Sequence, residues 1–219
     1  MIKTKDLHFQ YAADSFSLRI PDLRVETGEK VAITGASGCG KTTFLSLLSG
    51  ILLPNSGEIS VGGNEVSRLS DKKRREFRLK TIGFVFQDFE LIEYLSAQDN
   101  ILLPFRLNPA MRMNAEVLSR ASELASKMGI EDKMKRYPSQ LSQGEKQRVA
   151  LCRALIANPE YVFADEATGN LDPENKKLIL DLLMQELALT GGTLLAITHD
   201  HALIDRFDRT IDFNKIEGG

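Results

Sequence analysis

The stretch that most constrains this chain is GASGCGKT, Gly35 to Thr42, placed between the apolar run KVAIT and the helix-forming run KTTFLSLLS. Glycines at this spacing, ending in Lys and Thr and sitting between a strand and a helix, make a phosphate-binding P-loop. The backbone can then curl so that N–H groups of Gly35, Ala36, Ser37, Gly38, Cys39 and Gly40 converge on a β-phosphate, and the positive end of the helix strengthens the field. In this frame Lys41 reaches the β- and γ-phosphates, the Thr42 hydroxyl ligates Mg2+, and Thr43 lies on the α-phosphate side. Cys39 contributes mainly its backbone; redox sensitivity is the other reading of that position.

The rest of the chain has to complete the α/β core that such a loop requires. Its 219 residues suit one domain, or one domain with a small subdomain, and 42% hydrophobic residues suffice for a substantial core. A net charge of -2 points to neither a nucleic-acid polyanion nor an acidic membrane as the main partner. Cys39 and Cys152 lack ligand-like spacing, so neither a zinc site nor a disulfide framework is expected, and a reducing compartment suits them. The N-terminus has no signal-peptide pattern, and no segment reaches the ~20 apolar residues of a spanning helix. Any work at a membrane would need another polypeptide to supply the span.

Alternation in LHFQY, FSLRI and SGEISVGG predicts a mostly antiparallel β layer beside the strand KVAIT. Lys41 to Ser49 reads as a helix closed by Gly50. RLSDKKRREFRLK holds seven basic and two acidic residues and reads as a solvated helix, with a phosphate or nucleic-acid surface as the weaker reading because stacking aromatics are nearly absent. TIGFVFQ is a short buried strand. From Asp88 to about Pro138 the texture changes: a loop with Pro104 and Pro109 leads to a helix capped by Asn114 and Gly129, which predicts an inserted helical subdomain. A helix from about Glu145 to Ala157 follows, then the strand YVFAD, a helix from Asp172 and Pro173 to Leu187, and the strands TLLAIT and RTIDF. The expected whole is an α/β protein with a mainly parallel sheet. Residues 1–87 and 159–219 form the β subdomain and core, and 88–158 the helical insert.

YVFADE ends a buried strand in two acids, at the sheet edge where parallel α/β folds bind ligands. Asp165 is the expected partner of Mg2+, and Glu166 the base for a water attacking the γ-phosphate. A strand-ending cap for Asp165 and a surface role for Glu166 are the bland alternatives. His199 emerges from the next strand at the same edge and is read as a contact to the γ-phosphate or the water, with Asp200 fixing its tautomer. A second glycine, Gly144 in LSQGE, resembles the first in standing at the mouth of a helix, and with the Ser142 hydroxyl it suits an anion. Lys146 and Arg148 read equally as a reinforcing field or as ordinary charge on an exposed helix.

The order P-loop, Gln87, LSQGE, YVFADE, GNLD, His199 resembles the nucleotide-binding domain of ATP-binding cassette (ABC) transporters over essentially the whole chain. That resemblance implies a P-loop NTPase core that binds and hydrolyses ATP with Mg2+. It implies a homodimer packed head to tail, in which Ser142, Gln143, Gly144 and Glu145 close over the γ-phosphate held by the other copy. It makes Gln87 the glutamine that senses Mg2+ and the γ-phosphate, Tyr11 the aromatic that stacks on adenine, and Asp172 of GNLD a neighbour of the opposite P-loop. For Tyr11 an ordinary alternating strand residue is the competing reading. Gln143 stands where the family has glycine, and Ala167 where it has proline after the base; only a modest rate effect is expected from either.

Within the family, GFVFQDFELIEYLSAQDNILLP and YPSQLSQGEKQRVALCRALIANPEYVFADEATGNLD look most like the branch of bacterial lipoprotein-releasing, macrolide-export and cell-division ATPases. This implies a subunit on the cytoplasmic face of the inner membrane, bound to an integral membrane permease, with FELIEYLSAQDN lining the contact. No nucleic acid is expected as a partner. The alternative is a soluble ATPase of the same core that acts on nucleic acid or ribosomes.

Overall fold

A computed structural model describes residues 1–11, 16–167 and 173–216 of the chain. Two sheets organise it. The first pairs β1 (Ile2–Gln10) with β2 (Ser17–Ile20), β3 (Leu23–Val25) and β5 (Ser56–Val61), and β5 with β6 (Asn64–Glu65), all antiparallel. The second is parallel, in the order β10-β4-β9-β8-β7, from β4 (Lys30–Thr34), β7 (Ile82–Val85), β8 (Tyr161–Asp165), β9 (Thr193–Ile197) and β10 (Arg209–Asp212). The expected antiparallel layer is present as a sheet of its own. The helices are α1 (Lys41–Leu48), α2 (Asp71–Thr81), α3 (Ala97–Ile101), α4 (Leu103–Leu107), α5 (Ala115–Lys127), α6 (Gln143–Leu155), α7 (Pro173–Thr190) and α8 (His201–Ile204).

Strands β8 and β9, in the middle of this sheet, are buried along their whole length because both their faces are covered. Along β8, Tyr161 and Phe163 enter one core with α1 and the antiparallel sheet, while Val162 and Ala164 enter a second core with α5, α6 and α7. Strand β9 divides in the same way, Leu195 and Ile197 to the first core and Leu194 and Ala196 to the second. The period-2 pleat thus sends adjacent apolar residues to opposite sides of one layer.

Close contact between α6 and β7 depends on Gly83. A Cβ there would stand 2.2 Å from the Ala154 carbonyl oxygen, so any other residue would force the strand away from the helix.

Residues 97–107, expected as loop, form α3 and α4. The Ser96 hydroxyl accepts from the Asp99 N–H and caps α3, and Pro104 sits in the first turn of α4, where its missing N–H costs nothing. Buried Asn100 fixes the preceding loop, receiving the Ile92 N–H and donating to the Ile92, Leu95 and Ser96 carbonyls. Of the apolar residues in FELIEYLSAQDN, Phe89 is buried and Leu91 packs on the second core, while Tyr94 is 79% exposed. The basic segment is helix α2, with Phe77 its one buried residue. Asn114 caps α5 by accepting from the Val117 N–H. Among the described residues no helix is long and apolar enough to cross a membrane.

Candidate active site

Parallel register determines which side chains meet. Ile33 on β4 pairs with Ile197 on β9, Ile197 with Asp165 on β8, and Ala164 with Val85 on β7. The residues that follow these strand ends, Gly35 to Thr42, Gln87, Glu166 and His199, therefore leave from one edge of the sheet. There they surround a cleft of about 630 Å3 lined by Tyr11, Ser37, Lys41, Thr42, Gln87, Glu166 and His199 among others.

The P-loop wraps the N-terminus of α1 in a backbone that only glycine tolerates at Gly40. Its φ is 96°, and a Cβ would lie 2.7 Å from the Phe16 ring. The Lys41 ammonium is buried and donates to the Gly35 carbonyl at 2.9 Å and the Ala36 carbonyl at 2.6 Å, with Cys39 Sγ at 3.8 Å. The Asn214 side chain accepts from the Ala36 N–H at 2.9 Å and ties the loop to the turn after β10. Sequence reasoning missed Asn214, since nothing within ten residues of it resembles a motif. It also missed Phe16, which lines the cleft and packs beside Tyr11 with ring centroids 6.3 Å apart. Tyr11 rests edge-on against Phe9, and its hydroxyl lies 3.1 Å from Thr43 Oγ1. The ring remains 58% exposed at the cleft, a suitable surface for a planar heterocycle.

Asp165 is 4% exposed at the end of β8. Burial raises its carboxyl above the usual carboxylate range, opposed by the hydrogen bond from Thr42 and the charge of Lys41, while Glu166 pushes it further up. A buried carboxyl bonded to a threonine hydroxyl is a hard-oxygen pair of the kind that shares Mg2+ with phosphate oxygens. No group of three or more His, Cys, Asp or Glu residues poised for a metal occurs among the described residues. The Gln87 carboxamide lines the same cleft.

The buried charge has a consequence for stability. The folded-state pKa of Asp165 is raised, so the group costs nothing below its unfolded value, where it is neutral in both states, and opposes folding as pH rises above that value. Asp165→Asn keeps the acceptor for Thr42 and removes the charge. This variant is expected to unfold at higher urea than the parent at about pH 7, with the gap closing at about pH 4. An equal or lower midpoint for Asp165→Asn at neutral pH would contradict this account.

Glu166 takes a left-handed backbone, φ 48°, with its N–H donating to the Ile197 carbonyl at 3.2 Å. Its Oε1 lies 2.8 Å from His199 Nε2. Asp200 does not orient this histidine. It caps α8 through the Ala202 N–H and pairs with Lys176 at 3.2 Å, so the Glu166 carboxylate is the group in contact with the ring. Ala167 is buried in the second core.

Ser142 to Glu145 do not line this cleft. Helix α6 begins at Gln143, two residues before the expected start, because Ser142 and Glu145 form a capping box in which each side chain accepts the other's N–H. The bond from the Ser142 N–H, more than any other contact, holds the Glu145 carboxyl below its ordinary range. Gly144 belongs to the first helical turn and is not among the positive-φ residues, so it forms no glycine turn; what it contributes is the lack of a side chain. Lys146 and Arg148 are half-buried on α6. The GNLD stretch with Asp172 lies outside the described residues.

Comparison with known proteins agrees with this architecture. The family described as ABC transporter matches residues 18–169. The lipoprotein-releasing system ATP-binding protein LolD of Syntrophus aciditrophicus is 40% identical over 214 residues, covering 96% of this chain and 95% of that protein. The bacitracin export ATP-binding protein BceA of Halalkalibacterium halodurans is 39% identical over 190 residues, 87% of this chain and 74% of that protein. The ATP-binding cassette MJ0796, solved as a dimer in a post-hydrolysis state bound to ADP and Pi, superposes with a TM-score of 0.89 at 33% identity, covering 97% of this chain and 94% of that one.

Proposed function

The chain belongs to the ABC transporter family, and from that membership we propose that it is the ATP-hydrolysing subunit of a bacterial transporter, coupling hydrolysis to conformational work in a partner permease. The observation that carries this reading is the convergence of Lys41, Thr42, Asp165, Glu166 and His199 on one sheet edge beside an exposed Tyr11. Adenine stacks on Tyr11, and the loop N–H groups with Lys41 bind the β- and γ-phosphates. Thr42 and Asp165, with Gln87, would hold Mg2+, which would neutralise phosphate charge as it develops. Glu166 accepts a proton from water, the water oxygen bonds to the γ-phosphorus, and the bond from that phosphorus to the β–γ bridging oxygen breaks, releasing ADP and phosphate. His199 Nε2, 2.8 Å from Glu166 Oε1, keeps the carboxylate aimed.

In this reading two copies act together, as in the dimer of MJ0796. The helix α6 N-terminus, with Ser142, Gln143, Gly144 and Glu145, then covers the γ-phosphate held by the other copy, and Asp172 lies near its P-loop. The segment 88–158 acts as the helical subdomain that carries this cap. Similarity to LolD and BceA supports lipoprotein release or peptide export as the work performed, with the chain held at the cytoplasmic face of the membrane through its permease.

The permease contact is assigned to a groove of about 310 Å3 next to Gln87, lined by Leu79, Ile82, Phe84, Leu103 and Leu107 among others. An apolar groove of this kind suits a short amphipathic helix. Tagged protein purified from detergent-solubilised membranes should bring an integral membrane protein with it, crosslinked from Glu93, and should release phosphate from ATP only with Mg2+. Recovery of DNA or ribosomes in place of a membrane protein would overturn the transporter assignment.

A further inference from the structure

Ala36, the second residue of the P-loop, carries much of the loop's internal bonding. Its carbonyl accepts from the Lys41 ammonium at 2.6 Å and from the Cys39 N–H at 3.4 Å. Its N–H, expected among the phosphate donors, is committed to Asn214 Oδ1 at 2.9 Å. The planar peptide unit that holds this N–H has the Gly35 carbonyl at its other edge, and that carbonyl accepts from Lys41 at 2.9 Å. Fixing one edge of a plane fixes the other. Asn214 therefore sets the direction of an acceptor that holds the ammonium, and Lys41 in turn lines the cleft.

Asn214 is itself held, its N–H donating to Asp212 Oδ1 at 3.1 Å. Asp212, Phe213 and Asn214 run alongside the strand–loop–helix unit and are fastened to its three parts. Asp212 is in parallel register with Thr34, the last residue of β4. Phe213 is fully buried, and its ring centroid lies 5.3 Å from that of Phe44 on α1. Asn214 bonds the loop between them. A Cβ at Gly35 would stand 3.0 Å from Phe213 Cβ, so the same turn also presses on the first residue of the loop. All of these contacts join protein to protein and need no phosphate. A loop rich in glycine has wide conformational freedom, and a ligand that must order such a loop loses affinity to that cost.

Building on the nucleotide-binding reading above, we propose that Asn214 is a positioning residue of the phosphate site: through the Gly35–Ala36 peptide it holds the P-loop and Lys41 in the shape that receives the β- and γ-phosphates. It acts on binding and not on the hydrolytic step, which belongs to Glu166 and His199 on other strands. A group that contributes equally to bound substrate and transition state changes KM and leaves kcat alone.

The test compares full-length parent protein with Asn214→Ala, which removes the acceptor, and Asn214→Asp, which keeps one at the same length. Equilibrium titration with fluorescent ATP, ADP and AMP analogues should show Asn214→Ala binding ATP and ADP about fivefold more weakly, the size of one net hydrogen bond. Affinity for AMP, which has no β-phosphate, should not change, and kcat at saturating MgATP should stay within about twofold of the parent. In hydrogen exchange without nucleotide, the peptide holding Ser37 to Gly40 should exchange faster in Asn214→Ala and at the parent's rate in Asn214→Asp, with β8 and β9 unchanged as the control for an intact core. Parental affinity for ATP and ADP in Asn214→Ala would overturn the proposal even if the urea midpoint fell, since Asn214 would then be a tie of the fold alone. Equal losses for ATP, ADP and AMP would overturn it in favour of a general disturbance of the cleft. A parent that binds no ATP would overturn the nucleotide reading itself, and the proposal with it.

Discussion

Replacing Glu166 by Gln is expected to lower steady-state phosphate release by about 10²–10⁴-fold, the usual contribution of a positioned general base. The substitution keeps the length and shape of the side chain and the acceptor oxygen that faces His199 Nε2 at 2.8 Å. It also leaves the left-handed backbone at this residue and its bond to the Ile197 carbonyl untouched. What disappears is the ability to take a proton from water. Nucleotide affinity should therefore stay within about twofold of the parent, since the phosphates are bound by the loop and Lys41 and not by the base. Because hydrolysis ends the ATP-bound dimer, that dimer should accumulate and be visible by size-exclusion chromatography in ATP. Turnover within about twofold of the parent would remove Glu166 from the role of base.

An effect of similar size is expected from Gly144→Asp, for a different reason. Gly144 lies in the first turn of α6, where the helix field favours a negative side chain, so the substitution should leave the fold intact or slightly stabilised. Against the γ-phosphate of a second copy, however, the new carboxylate repels where a row of N–H groups would attract. Loss of such donors costs on the order of 10²–10³-fold in turnover, and an added like charge should cost at least as much. The variant's own P-loop is not involved, so its affinity for ATP should be unchanged by equilibrium titration while ATP-driven dimerisation is lost. Mixing Gly144→Asp with Lys41→Ala should return part of the activity, because such a heterodimer has one composite site with both halves native. If Gly144→Asp instead weakened ATP binding in the monomer, the cap would serve its own chain and the head-to-tail arrangement would be wrong.

Much of this architecture is set by local sequence. The P-loop, the two acids closing YVFADE and the histidine after TLLAIT each follow an apolar run too short for anything but a buried strand, and parallel strands necessarily deliver their ends to one edge. Caps were equally legible at Asn114, because the donor, the acceptor and the helix they terminate all fall within a few residues. Local signals failed where two of them competed. Pro104 in an apolar run reads as a loop, yet the Ser96 cap and the network around Asn100 supply enough hydrogen bonds for two short helices. Gly144 suggests a turn until the Ser142–Glu145 box fixes it as helix.

What the sequence determined by itself is thus the set of chemical groups and the strand ends that carry them, since both follow from short-range pattern and from the fixed geometry of parallel pairing. Only the tertiary structure decided which groups meet. It gave His199 to Glu166 and sent Asp200 to Lys176, brought Asn214 across 178 residues to hold the P-loop, and set Arg78 and Arg153 on backbone carbonyls beside an apolar groove. These outcomes depend on packing distances of a few ångströms between segments far apart in the chain, where no periodicity or motif links one partner to the other.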